Sequence, residues 1–347
     1  MQVRYTFLER NHPSSMSRVA EDCARAVTQA GMQAEARAVK GRYGSRVGGR
    51  VLPAMKFLLS SYDGKHLYHA VEPEVAFRGV SVVTYHILYP FFDRTMSPAD
   101  RRWGCWRYRK AADRARRIVA INPAIAEEVR EILGERAFQK TRVVRFPLKI
   151  PPLQRLPTDT DVLWTGGNHP RKGPAQFLES LLHVRQKLRV SMVLHQQPEF
   201  VRENAKIASL LPKVQERHTL SMPKFPIPFE ELDRLYRSSQ VYVNSSYYEG
   251  FPAAAFEAYA RGTRLVVPRA LNYTTDYGKA PGVFYYEYDC RRVTREGKED
   301  PGMPERLASA IESALAAGPV PPEEEVLGRY REPHVAAELA RVYHELD

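Results

Sequence analysis

The stretch from residue 241 to residue 262, VYVNSSYYEGFPAAAFEAYARG, decides how the chain is read. Val241, Tyr242 and Val243 make a short apolar run that reads as a buried strand. Asn244, Ser245 and Ser246 end it and open a loop that carries Glu249 and Gly250. From Pro252 the pattern turns Ala-rich, with Ala253, Phe256 and Ala260 on one helical face. Pro252 suits a first helical position and Gly262 a helix C-terminus. The prediction is strand, loop, helix, with Glu249 in the loop and Glu257 about one turn into the helix.

That arrangement carries chemistry. In an open α/β sheet, ligands bind beyond the carboxyl ends of the strands. The helix start offers the N–H groups of Ala253 and Ala254 and the positive end of a dipole, which favours phosphate. A carboxylate beside a phosphate site is costly unless hydroxyls donate to it, and a sugar has such hydroxyls. The stretch therefore predicts a nucleotide-sugar site: pyrophosphate at the helix start, sugar near Glu249, ribose near Glu257. The competing reading is an ordinary βα unit with exposed glutamates. Two glutamates at this spacing recur by chance in a chain this long, so the neighbouring residues carry the weight.

Those neighbours resemble the family 4 glycosyltransferases, retaining enzymes of the GT-B fold. Ser245-x3-Glu249-Gly250-Phe251, then Glu257-Ala258-x-Ala260-x-Gly262, follow that family's signature, with Pro252 where a glycine is usual and Ala254 where a proline is. Thr165-Gly166-Gly167-Asn168-His169-Pro170-Arg171-Lys172-Gly173, between a strand and a helix, resembles the family's Gly-Arg-x4-Lys-Gly loop. Gly167 stands where the family has Arg. The resemblance implies that Glu249 touches the donor sugar, that Glu257 binds the ribose, and that Lys172 meets the diphosphate and offsets charge on the leaving group. Gly166, Gly167, Gly250, Phe251, Pro252, Ala253 and Ala254 would line the donor. Arg171, or an arginine from the first half, would replace the missing cation. Thr84-Tyr85-His86 resembles the family's Thr-x-His at the end of a central strand, which makes His86 a catalytic candidate beside the donor sugar.

The implied fold is α/β: two Rossmann-like domains with parallel sheets facing across a cleft, and a C-terminal helix packing back on the first domain. Residues 1–150 would form the acceptor domain, 151–158 a proline-rich linker, 159–325 the nucleotide-sugar domain and 326–347 the returning segment. The chain's 347 residues suit two domains. Apolar runs at Val3–Leu8, Leu67–Val71, Val80–Leu88, Arg117–Ile121 and Arg142–Phe146 alternate with helical patterns such as Ser14–Ala30. In the second half, Val162–Trp164, Val190–Leu194, Leu265–Val267 and Val283–Tyr286 read as strands. Pro174–Leu188, Glu230–Ser238, Met303–Ala317 and Pro333–Leu346 read as helices. Residues 219–229 and Asn272–Gly278 read as loops.

Several motifs have a plainer reading beside the functional one. His12, in the glycine-free first turn, is either a ligand contact or a solvated side chain. His69 reads better as a core histidine. Asp159-Thr160-Asp161 imitates a metal-binding Asp-x-Asp, but it precedes its strand and reads as linker polarity. No carboxylate or histidine cluster has metal-ligand spacing, so neither a metal nor another cofactor is expected. Cys23, Cys105 and Cys290 are scattered, which favours a reducing cytosol, and no run approaches the length of a membrane span.

Charge is unevenly placed. Residues 1–150 hold 27 Lys and Arg against 14 Asp and Glu, an excess of +13, while the remainder holds −1. Eight of the seventeen residues in Arg101–Arg117, RRWGCWRYRKAADRARR, are basic, with Trp103, Trp106 and Tyr108 interleaved. Arg101, Arg102, Arg107, Arg109 and Lys110 belong either to a solvated helix, to a patch for anionic lipid headgroups, or to a nucleic-acid surface, the last least favoured. The expectation is a cytoplasmic glycosyltransferase, with peripheral attachment to the inner face of a membrane as an extension. It would move a sugar from a UDP- or GDP-linked donor to a hydroxyl on a glycan or lipid-linked acceptor. A nucleotide-sugar epimerase and a catalytically silent scaffold of the same fold remain as other classes.

Overall fold

The computed structural model describes all residues except 10–14, 41–65, 77–78, 94–95, 168–169, 195–203, 224–225, 291 and 347. The chain divides into two compact units. One comprises Met1–Lys149 with Gly328–Asp347, the other Ile150–Leu327. Residues 151–158, read above as a linker, count with the second.

The first unit holds a six-stranded, all-parallel sheet in the order β2-β1-β3-β4-β5-β6. The strands are β1 (Gln2–Glu9), β2 (Gln33–Lys40), β3 (Leu67–Ala70), β4 (Val82–Tyr85), β5 (Arg117–Ala120) and β6 (Thr141–Val143). Alternation sets the faces of β1. Val3, Tyr5 and Phe7 enter the core, while Arg4 pairs with Glu35 across the neighbouring strand. β2 has no place among the sequence-predicted strands. It is an edge strand with charged, largely exposed side chains, so its apolar signal is weak. Its longer helices, before the C-terminal one, are α1 (Ser15–Gln29), α2 (Pro98–Arg114) and α3 (Pro123–Leu133), the last two capped by Ser97 and Asn122.

The C-terminal helix, named α10 below, spans Glu332–His344 and packs on this first unit. Val335, Leu339, Val342 and Tyr343 join Val3, Tyr5 and Val27 in one core. Burying a side chain of this size contributes about 1.5–3 kcal/mol. Polar ties add to it: Glu332 meets Arg25 at 2.7 Å, and Glu345 meets Arg117 at 2.7 Å and Arg142 at 2.8 Å.

The second unit repeats the plan with its own six-stranded parallel sheet, ordered β12-β11-β10-β7-β8-β9. These are β7 (Thr160–Gly166), β8 (Arg189–Leu194), β9 (Thr219–Ser221), β10 (Ser239–Val243), β11 (Arg264–Pro268) and β12 (Val283–Tyr286). Val241–Val243 and Leu265–Val267 are buried throughout, as central strands covered on both faces require. Its longer helices are α4 (Pro174–Leu181), α5 (Ala205–Arg217), α6 (Phe229–Ser238), α7 (Ala253–Ala260), α8 (Leu271–Tyr277) and α9 (Met303–Ala316).

Four local expectations are corrected. Asn272–Gly278 is no loop: Tyr273 and Tyr277, four apart, are buried, and the helix α8 that carries them ends at Gly278 with φ 56°. The segment 219–229 opens with the short edge strand β9, paired to β8. The helix expected over Pro174–Leu188 stops at Leu181. Ala253 is exposed rather than facing the core; Ala255, Phe256, Ala258 and Tyr259 make the buried side of α7. Asp159 and Asp161 are structural. Asp161 accepts from the Arg189 backbone N–H and side chain, both at 2.7 Å, and Asp159 pairs with Arg234 at 2.6 Å.

Candidate functional site

In the second sheet the chain builds β7, β8 and β9 outward, then crosses back to lay β10 on the other side of β7. In an open sheet of this kind the ligand crevice lies where the order reverses, outside the strand ends. The loops after β7 and after β10 meet there. Gly173, φ 67°, lies so close to the second loop that a Cβ on it would sit 2.3 Å from the Ser245 carbonyl oxygen. Ser245 ties the loops together: its hydroxyl lies 2.9 Å from both the Lys172 and Gly173 carbonyls and accepts from the Trp164 indole at 2.9 Å. The Tyr247 N–H donates to the Arg171 carbonyl at 3.0 Å.

This stitching brings Glu249 to the neighbouring pair Arg171 and Lys172, 78 and 77 positions away in the sequence. Glu249 is buried. Arg171 Nη1 lies 2.9 Å from its Oε2, and Lys172 Nζ bonds its Oε1. Arg171 Nη1 also donates to the Tyr248 carbonyl at 3.0 Å. Burial alone would raise the Glu249 carboxyl's pKa. The Lys172 and Arg171 charges, with hydrogen bonds from Lys172 and Ser246, overcome that and hold it down to about 2. Glu249 is therefore a fixed anion at neutral pH. Asn272 Nδ2, from α8, anchors its backbone carbonyl at 2.9 Å.

Glu257, half-buried on α7, receives the Tyr236 hydroxyl at 3.3 Å. The Tyr242 hydroxyl sits 2.9 Å from Thr165 Oγ1. Its pKa is raised mainly by burial; the Thr165 bond opposes the shift, and both Glu249 and Glu257 add to it. The Tyr236 and Tyr242 hydroxyls have no role in the sequence reading, and Asn272 enters it only as part of the loop segment 272–278. The only hint is that Tyr242 lies inside the strand quoted first and Asn272 in a segment read as loop.

Glycine is needed at Gly166, where a Cβ would meet the Trp164 ring at 2.4 Å, whereas Gly167 faces open space. Gly250 and Pro252 are buried, while Phe251 is half-buried with its ring 6.0 Å from Phe256. The start of α7 departs from expectation. Pro252 is the cap rather than the first helical residue, and the Ala253 N–H is already bonded to the Phe251 carbonyl at 3.0 Å. Ala253 therefore has no free donor for phosphate. Among the described residues, no three or more His, Cys, Asp or Glu side chains group as a metal site.

The first unit holds the histidines. His86, just past β4, is half-buried and stacked on Phe146 at 4.6 Å. Its Nε2 lies 2.5 Å from the Val71 carbonyl and so carries the proton. Its Nδ1 has no partner among the described residues. Burial pulls its pKa to about 4 against the Val71 bond, so the ring is neutral at pH 7. His69 is core. Its Nδ1 meets the Tyr343 hydroxyl at 2.8 Å and its Nε2 the Thr84 hydroxyl at 2.7 Å, and burial lowers its pKa to about 3, with His86 adding. The turn carrying His12 lies outside the described residues.

On α2, Tyr108, Ala111 and Ala112 are buried, and Arg101, Arg102, Trp103, Trp106, Arg109 and Lys110 are exposed. Arg107 is half-buried. The Trp103 and Trp106 rings stack 4.9 Å apart. Beside them an open cleft of about 680 Å³ is lined by Met96, Pro98, Arg101, Arg102, Cys105, Trp106 and Arg109. Among the described residues no helix is long and apolar enough to cross a membrane.

A sucrose-phosphate synthase from Thermosynechococcus elongatus superposes with TM-score 0.68 at 16% identity, covering 99% of each chain. Anabaena HepE, solved with UDP and glucose, gives TM-score 0.65 at 14% identity over 99% of this chain and 100% of its own. The lipopolysaccharide outer core galactosyltransferase WaaB, in apo form, gives 0.64 at 12% over all of both chains. At such identities the likeness is one of fold, and that fold is GT-B. No match was found among curated protein sequences. A family described as "Family 4 Glycosyltransferase in conflict systems" matches residues 105–316, which include both loops of the Glu249 site, and over that much of its length the chain belongs to this family of glycosyltransferases.

Proposed function

We propose that this glycosyltransferase moves a sugar from a nucleotide-sugar donor to a hydroxyl acceptor with retention of anomeric configuration. The observation that carries the reading is the convergence of Lys172 and Arg171 on Glu249 at the crevice of the second sheet. Two cations at one point suit a diphosphate, and a buried carboxylate beside them suits sugar hydroxyls. Arg171 takes the part of the arginine that Gly167 replaces. As the bond to the sugar breaks, negative charge grows on the departing diphosphate, and both cations offset it without a metal. Glu257, half-buried among tyrosines, suits the ribose. Gly166, Gly167 and the segment Gly250–Ala254 would line the donor. The solved HepE structures contain UDP, glucose and UDP-glucose, which agrees with such a donor.

Calorimetric screening against UDP- and GDP-sugars, followed by anomeric analysis of the product, tests this. One class of donor should bind and be consumed only with an acceptor. Conversion of donor without acceptor would identify an epimerase instead, and no binding at all a silent scaffold.

The exposed face of α2 favours an acceptor presented at an anionic membrane surface. Indole rings prefer the water–lipid interface, and each Arg or Lys near an anionic leaflet adds about 1 kcal/mol. The protein should sediment with anionic vesicles and not with neutral ones, and R102E/R109E should abolish this. Unchanged sedimentation of that variant would reject the patch.

A further inference from the structure

Lys172 and Arg171 are each about a quarter exposed, with side-chain exposures of 27% and 24%, while Glu249 between them is 5% exposed. The two cations are therefore partly open to solvent while the carboxylate they hold is sealed. Each carboxylate oxygen is taken by one of them. We propose that Glu249 stands in for the donor's diphosphate in the free protein, so that donor binding is an exchange of anions. Diphosphate oxygens take Lys172 and Arg171, and the carboxylate they release turns to the sugar hydroxyls. This rests on the donor site proposed above and adds a coupling between its two halves.

The physical reason is charge and burial. A diphosphate diester brings two negative charges and several acceptor oxygens against the single charge of Glu249, so it can win the cations. A buried carboxylate stripped of its cations is costly unless other donors replace them. Glu249 cannot move far, because Asn272 fixes its backbone carbonyl at 2.9 Å and Gly173 presses the two loops together. Hydroxyls of a sugar attached to the diphosphate supply the missing donors, and a diphosphate alone does not. The exchange thus favours nucleotide sugar over nucleoside diphosphate. Once the sugar has left, Glu249 retakes both cations and drives the diphosphate out. The same carboxylate would hold the substrate and evict the product.

The sign of the outcome is unusual for a substrate-binding residue. Isothermal titration with inorganic diphosphate, in metal-free buffer at pH 7, should show E249Q binding at least about tenfold tighter than the wild type, or ~1.4 kcal/mol. K172A should bind more weakly than the wild type. E249A serves as a second variant should the amide disturb the loop, and each variant's fold is checked by its thermal transition. If folded E249Q and E249A bind diphosphate no tighter than the wild type while K172A binds worse, the exchange is wrong and the donor site stands. If K172A binds as well as the wild type, the donor site itself is wrong.

Discussion

Glu249 and His69 are both buried, both titratable and both near the C-terminal end of a parallel strand, yet they are held in opposite ways. Glu249 is kept charged by two cations from a neighbouring loop, and those cations still reach open space. His69 is kept neutral by burial, with His86 adding, while its ring nitrogens meet the hydroxyls of Thr84 on the adjacent strand and Tyr343 on α10, and nothing in that chain is exposed. Tyr343 continues the chain to the Tyr5 hydroxyl at 2.5 Å. Burial alone therefore does not mark a working group. Partners that can be exchanged for a ligand do, and partners locked inside a core do not.

The sharpest way to break this contrast is to remove a partner of each. Lys172→Ala and Glu249→Gln should each cut sugar transfer on the order of tenfold to a hundredfold while the protein stays folded; normal turnover in both would remove the site. Tyr343→Phe should do the reverse. It leaves His69 Nδ1 and the Tyr5 hydroxyl unpaired, which costs about 1–3 kcal/mol in a denaturant melt, with turnover of the folded protein unchanged.

Acid separates the two regions more gently. His69 and His86 are held below the ordinary histidine value, near 3 and 4, so the native state binds fewer protons than the unfolded one. Their effect is absent above about pH 6.5 and grows as pH falls, by about 1.4 kcal/mol per pH unit for each until its folded value is reached. Glu249, held near 2, contributes stability that is lost only as pH drops below about 4.5. Segment-resolved hydrogen-exchange protection, compared at pH 7 and pH 5, should fall further in the first sheet. There two such histidines act, against His218 in the second. Equal losses would mean the histidines are not held neutral. The smallest effect is expected at the surface. Trp106→Ala should move stability by no more than about 0.5 kcal/mol while weakening attachment to anionic vesicles.

Much of this was legible without coordinates because it is written in local patterns. The buried strands Val241–Val243 and Leu265–Val267 and the helix that begins after Pro252 announce themselves by period and punctuation. The loop ending Arg171-Lys172-Gly173 was recognisable by type. What escaped were elements with little apolar signal, such as the charged edge strand β2. Also missed was α8, whose buried Tyr277 packs its ring against Tyr259 of α7, a tertiary neighbour that no local pattern names. The free N–H expected at Ala253 failed for a related reason: a tight turn back to Phe251 used it, and turn geometry is not spelled by residue type.

Residue order alone sufficed to place Glu249 and Lys172 in loops beyond strand ends and Glu257 in the helix that follows, and to suggest a donor site, since strand ends, caps and glycine turns are short-range matters. It did not say that Lys172 and Arg171 would both close on Glu249, or that Tyr343, from the far end of the chain, would seal His69. Those meetings depend on β10 lying against β7 and on α10 lying against the first sheet. Contacts between residues some 80 to 270 positions apart come from packing, and no local pattern encodes which distant charge will be the neighbour.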